Sequence, residues 1–262
     1  MIIAIGPWKR FCVGLAGILI MSAIGALMLQ TAGCGPKPSG REQVEKTITP
    51  TFDFMPPSKL PADTASVVFC LVAPSYPDAW KDYLAYYPYD KFVKNMPLDF
   101  EEIISAKGFR MRGPFRTYDE MTFPDKKEAD LILTPKIEID VTPAGRVEQG
   151  KEFLTDVPFW KWSGQVNLGG RITINLNETL TNERMWTKSV ELPVRSFSYK
   201  SPKYQGPING PQVSDTEFGN LLAVQLQDYY TTTMEQVWKY LDPQEMDMVK
   251  KQARDLKEKK RY

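Results

Sequence analysis

Ser66-Val67-Val68-Phe69-Cys70-Leu71-Val72-Ala73 is a continuous apolar, β-branched run that ends at Pro74. Eight residues are too few for a core helix, and the absence of polar alternation predicts a strand buried on both faces. Cys70 is expected in that core, where an unactivated thiol is inert. C-terminal to this strand, Tyr76, Trp80, Tyr83 and Tyr87 fall at i, i+4, i+7 and i+11, which predicts one aromatic face of a helix that Pro88 bends or ends. A second helical piece is predicted from Pro97 to Lys107, with Phe100, Ile103 and Ile104 inward and Gly108 at its end.

Further along, Leu131, Leu133, Ile137, Ile139 and Val141 alternate with polar residues. Val166, Leu168, Ile172, Ile174 and Leu176 do the same, and so do Trp186, Val190, Leu192 and Val194. Three such runs after a strand-helix start predict an α+β domain with a mainly antiparallel sheet. Gly169-Gly170 inside the second run marks a bulge or a close backbone approach. Ser214-Asp215-Thr216-Glu217 has the pattern of a capping box, and Phe218 to Leu241 then repeats at helical spacing. Asp242-Pro243-Gln244-Glu245 restarts a last helix, with Met246, Val249, Ala253 and Leu256 as its apolar stripe. The N-terminal strand-helix unit and two C-terminal helices are expected to pack on the sheet.

N-terminal to the first strand, Lys9 and Arg10 precede Phe11 to Leu29, which carries no charge, and Ala32-Gly33-Cys34 follows. These are the parts of an export signal, although the apolar run is also long enough to span a bilayer. Ala32-Gly33-Cys34 resembles the lipobox of bacterial lipoproteins. That resemblance implies acylation of Cys34, for example with palmitate, and an outer-membrane or cell-surface location. The expected organisation is a lipoprotein signal peptide over 1–33, a proline-interrupted lipidated tether over 34–65 and one domain over 66–262.

The 262 residues include no histidine, so no histidine-based triad, dyad or zinc motif can be built. Cys12, Cys34 and Cys70 have no ligand-like spacing, and neither a metal nor a cofactor is expected. Without the first 33 residues the chain holds 31 basic and 32 acidic residues, a balance that points away from nucleic acid. Asp99, Glu101 and Glu102 are expected on an exposed helix face, and catalysis is not expected. A binding role has two sets of candidates. Tyr76, Trp80, Tyr83 and Tyr87, with Phe159, Trp160 and Trp162, either pack on the sheet or stack on sugar rings. Lys250, Lys251, Arg254 and Lys257 belong to a C-terminal run with a net charge of +5 over 250–261. That run either contacts an anionic envelope partner or is a solvated helix end.

Met234-Glu235-Gln236-Val237-Trp238-Lys239-Tyr240-Leu241 and the run Lys250 to Arg261 resemble the end of the neuraminyllactose-binding hemagglutinin family of lipoproteins. Val67 to Ala73, Lys107-Gly108-Phe109 and Lys127-Glu128-Ala129-Asp130 resemble the same family in the same order. The resemblance implies a surface or flagellar-sheath lipoprotein of Gram-negative bacteria, acting either as a glycan-binding adhesin or as a structural protein through protein-protein contacts. It does not carry over a cationic site for a sialyl carboxylate. Thr142 to Gly164 holds only Arg146, Lys151 and Lys161, far apart, where bidentate or clustered cations are needed.

Overall fold

The computed structural model describes residues 50–260. The expected export signal and the first part of the expected tether, with Cys34, lie outside the described residues. The elements are β1 (Val68–Val72), α1 (Tyr89–Ala106), β2 (Arg110–Phe115), α2 (Phe123–Glu128), β3 (Leu131–Lys151), β4 (Pro158–Glu178), β5 (Arg184–Lys200), α3 (Thr216–Tyr240) and α4 (Pro243–Lys260). They form one five-stranded sheet in the order β2-β1-β3-β4-β5.

The sheet is mixed, which corrects the expectation of a mainly antiparallel one. β1 is parallel to both β2 and β3, and only β3-β4 and β4-β5 are antiparallel. A helix between two strands returns the chain to its starting end, so the strand that follows runs parallel. α1 does this between β1 and β2, and α2 between β2 and β3. Antiparallel pairing still dominates by length, because β3 and β4 have 21 residues each and β5 has 17. β2 escapes a periodicity reading: Arg110-Met111-Arg112-Gly113-Pro114-Phe115 has no apolar alternation, and its Pro114 suits an edge strand.

All five residues of β1 are buried, as the opening run predicts. Phe69 and Leu71 face the main core with α1, α3 and α4, while Val68, Cys70 and Val72 meet Met121, Ala129 and Ile132 on the other side. Burial pushes the Cys70 thiol up to about 11, with the Asp125 carboxylate adding to the effect.

The expected aromatic helix over Tyr76–Tyr87 does not form. Ser75 instead bridges to β3 at Lys136, and Asp78–Trp80 makes a single 3-10 turn. Helix α1 starts only at Tyr89, after Pro88, and continues through Pro97 to Ala106. Proline has no N–H to donate to the carbonyl four residues back. Here that carbonyl belongs to Val93, and it accepts from the Tyr76 hydroxyl at 3.4 Å. At the other end, Gly108 sits at φ +77 and the Phe109 N–H donates to the Ile104 carbonyl at 3.2 Å, a left-handed cap that closes the helix.

Along β4, Val166, Leu168, Ile172, Ile174 and Leu176 all point into the core. β5 does not keep its period. Leu168 pairs with Arg195 and Gly170 with Leu192, so one extra residue of β5 is accommodated between them. Inward positions switch from Val190 and Leu192 to Phe197 and Tyr199, and Val194, expected inside, is left exposed. Gly170 is at φ +140, and a Cβ there would lie 1.9 Å from the Glu138 carbonyl oxygen. The glycine pair thus marks a close backbone approach beside a bulge.

The cap of α3 is Asp215 rather than Ser214, accepting from the Glu217 and Phe218 N–H groups at 2.9 and 3.1 Å. Asp242 caps α4 in the same way, through the N–H groups of Gln244 and Glu245. Packing also begins earlier than the expected domain boundary at Ser66. Phe52 is fully buried between Phe92 and Tyr230, and its N–H donates to Gln227 Oε1 at 2.7 Å.

Asp99 is buried between α1 and α3, which corrects its expected place on an exposed face; Glu101 is half-buried and Glu102 exposed. Its Oδ2 accepts from the Tyr230 hydroxyl at 2.6 Å. Burial raises the Asp99 carboxyl to about 6, and the Tyr230 hydrogen bond only partly offsets this. The folded protein therefore holds a proton that the unfolded chain releases near the ordinary aspartate value of 3.8. Stability from this group is present at acidic pH and is lost as pH rises toward 6, by about 2–3 kcal/mol in all. Asp99→Asn keeps an acceptor without the charge. Urea titrations between pH 4 and 7 should show it gaining stability over wild type as pH rises, whereas parallel pH dependences for the two proteins would remove this role for Asp99.

Candidate functional site

The aromatic residues predicted for binding divide into supports and exposed rings. Trp80 is 2% exposed, and its indole N–H donates to the Ile139 carbonyl at 3.1 Å. Tyr76 stacks on it at 5.9 Å, while Tyr89 and Phe92 meet it edge-on at 4.7 and 5.6 Å. Trp162 is also 2% exposed and stacks on Tyr199 at 6.0 Å. Neither tryptophan can offer a face to a ligand, so both are core groups. Tyr87 is half-buried and its backbone carbonyl lies over Gly219, where a Cβ would come within 3.1 Å.

The exposed rings are Tyr83 and, beside the predicted set, its neighbour Tyr86, at 38% and 44%. Their loop is held in place by backbone hydrogen bonds from Tyr83 N–H to Trp80 and from Tyr86 N–H to Tyr83, each at 2.8 Å. Tyr83 stacks on Tyr89 at 5.8 Å with the planes 28° apart. Both rings line a cavity of about 70 Å³, closed by Val141, Val166, Val213 and Phe218. That volume is well below the roughly 300 Å³ at which enclosed small-ligand sites begin. The arrangement is an open tyrosine surface over an apolar notch.

Trp160 lies apart from the tyrosine loop in sequence and is half-buried in β4. Its N–H and carbonyl both pair with Tyr204 at 2.9 Å, so the 201–204 stretch runs beside the ribbon. The hydroxyl of Tyr204 donates to Asp215 Oδ2 at 3.0 Å, which ties this stretch to the cap of α3. Tyr89, expected beside the stacking platform, is instead buried under it, and Tyr199 and Phe218, which the sequence does not single out, also shape this end of the fold. Tyr199 stands next to a stronger signal, a strand terminus, and Phe218 reads only as part of a helical stripe.

The basic candidates on α4 are mostly engaged within the fold. Lys250 is 8% exposed; its Nζ lies 2.9 Å from Asp130 Oδ2 and donates to the Ser66 carbonyl. Arg254 meets Asp130 Oδ1 at 3.3 Å, and Lys257 meets Glu178 Oε1 at 3.3 Å. Lys251 is exposed. The expected cationic contact for a partner is thus corrected: three of its four residues attach α4 to the sheet.

Glu178 is fully buried at the end of β4. Burial pushes its carboxyl up, but the Leu180 N–H at 2.9 Å, the Thr181 N–H at 2.6 Å, the Thr181 hydroxyl and Lys257 together hold it below the usual glutamate range. The group therefore stabilises the fold above the ordinary value of 4.5, and that contribution is lost as pH falls. Among the described residues, no group of three or more histidine, cysteine or acidic side chains could hold a metal, and no helix is long and apolar enough to cross a membrane.

No family model matches the chain, and no curated protein matches it. Its fold is similar to the crystal structure of a proposed neuraminyllactose-binding hemagglutinin homolog from Helicobacter pylori. That match has a TM-score of 0.50 and 15% identity, over 76% of this chain and 98% of that one. The likeness is one of fold. A Xanthomonas campestris protein (TM-score 0.31, 9% identity, 73% of this chain and 93% of that one) and a Neisseria meningitidis lipoprotein (0.23, 12%, 62% and 96%) match more loosely.

Lys257→Met leaves the Glu178 carboxylate buried beside an apolar chain, and should cost about 3 kcal/mol in chemical denaturation at pH 7. Adding Glu178→Gln should recover part of that loss. A Lys257→Met protein as stable as wild type would show that this pair does not hold α4.

Proposed function

We propose that this chain is a lipoprotein of the bacterial envelope surface, anchored through Cys34 in the outer membrane, whose folded domain acts by binding glycans and not by catalysis. The observation that carries the reading is the tyrosine loop: Tyr89, packed on buried Trp80, holds Tyr83 over an apolar notch, with Tyr86 exposed beside it. Flat aromatic rings with hydroxyl edges suit a wet, partly apolar partner such as a sugar ring. The fold shared with the Helicobacter pylori protein, whose description includes neuraminyllactose binding, supports the choice of glycans as the class to test.

The notch has no cation among its lining residues, so the tyrosine surface over it suits the face of a neutral sugar better than a sialyl carboxylate. A scaffold role in the envelope or flagellar sheath, through protein-protein contacts, is the second reading. It draws on the exposed polar face of the sheet away from α1, α3 and α4. That face carries Lys136, Glu138, Arg171, Thr173 and Asn175.

The protein should retain a defined set of neutral oligosaccharides on a glycan array. Tyr83→Ala combined with Tyr86→Ala should weaken that binding about tenfold, since each aromatic contact contributes roughly 0.5–1.5 kcal/mol. Retention of no glycan at all, or equal retention by the double variant, would end this reading.

A further inference from the structure

The turn of the β3–β4 hairpin presents two adjacent large apolar side chains to solvent: Phe153 is 98% exposed and Leu154 is 90% exposed. Turns ordinarily place small or polar residues at such positions. This turn is built firmly. Glu152 N–H donates to the Val157 carbonyl and Asp156 N–H to the Glu152 carbonyl, both at 2.9 Å. Lys151 Nζ bridges to Asp156 Oδ2 at 3.0 Å, and Lys203 pairs with Glu152 from the neighbouring stretch. The apolar pair is therefore held outward on a braced tip.

A convex tip encloses nothing, so it does not suit a small ligand. Its chemistry fits a fluid apolar phase bounded by phosphates. Phe153 and Leu154 form the leading edge, and Lys151, Lys161 and Lys203 stand behind it. Lys203 lies over the Phe159 ring at 4.5 Å and Lys161 at 5.9 Å. Lysines whose stems lie on apolar surface, with an aromatic ring beside them, are the usual flank of a membrane-contacting segment. The proposed anchor at Cys34 lies only 15 residues before the described chain. At most about 3.5 Å per residue, those 15 residues reach roughly 50 Å. The domain is therefore kept close to the bilayer that would hold Cys34, within range for a second contact.

We propose that the Phe153-Leu154 tip inserts into the interface of a phospholipid bilayer as a second membrane contact. This rests on the membrane-anchored reading above. A single short apolar contact gives only marginal, reversible binding, and a second anchor on the same chain makes it persistent.

The test uses the full chain in vesicles of phosphatidylcholine and phosphatidylglycerol whose acyl chains are brominated. Flotation reads the N-terminal anchor, and tryptophan quenching, measured as the difference from wild type, reads the tip. Phe153→Trp should be quenched at least twofold more than Val224→Trp, which places the probe on an exposed position of α3. Phe153→Trp quenched no more than Val224→Trp, in protein that floats, overturns the tip contact and leaves the anchor standing. Protein that fails to float overturns both. A lipid-free blue shift of Phe153→Trp that grows with protein concentration would assign the tip to a second copy of the chain and overturn the lipid contact.

Discussion

The cations of α4 and two carboxylates of the sheet form the interaction on which the rest of the structure depends. Asp130 accepts from the Val68 N–H at 3.0 Å and meets both Lys250 and Arg254. Its own N–H donates to the Val68 carbonyl at 2.9 Å. One side chain thus sets the start of β1 against the start of β3 and draws the last helix onto the place where they meet. Glu178 and Lys257 repeat the device at the end of β4. Charges withdrawn from water stabilise a fold only when both partners and the remaining lone pairs are satisfied. Here the carboxylates also take backbone and hydroxyl donors, so a helix with a strongly charged sequence closes an apolar core.

The elements read most securely from sequence were those whose residues serve one purpose. β1 is apolar throughout because both of its faces are covered. Val166, Leu168, Ile172, Ile174 and Leu176 of β4 are apolar because the face they share is covered. Asp242 and Gly108 announce helix ends because capping and left-handed backbone depend on local chemistry. The aromatic loop misled because Tyr76, Trp80, Tyr83 and Tyr87 have helical spacing for another reason. Tyr76 stacks on Trp80, Tyr83 stacks on Tyr89 and Tyr87 lies against Gly219, from a strand bridge, a 3-10 turn and the loop after it. Spacing reports a period, and four residues are few enough to match one without forming the helix.

Parity and pairing were the other hidden quantities. A bulge in β5 exchanges the inner and outer faces after Leu192, and no residue type marks that exchange beyond Pro193 and the facing glycines. Charge gave the same difficulty on α4. A row of lysines looks alike in sequence whether it faces solvent or a buried glutamate, because the partner lies far away in the chain: Lys257 is separated from Glu178 by 79 positions. Of the site candidates, the exposed tyrosines were legible as residues but not as a surface, since what exposes them is the burial of Trp80 and Tyr89.

The clasp at Phe52 has a mechanical consequence. Tension arriving from the N-terminal side enters the fold at that ring and at its hydrogen bond to Gln227, before it reaches the Leu60 and Ala65 backbone bonds to Ala106 and Gly108, and only then β1. These attachments lie in series along the chain. A moderate pull would peel the segment from α1 and α3 and lengthen the leash while the five strands stayed paired. Were the chain held through Cys34, this segment would give before the sheet did.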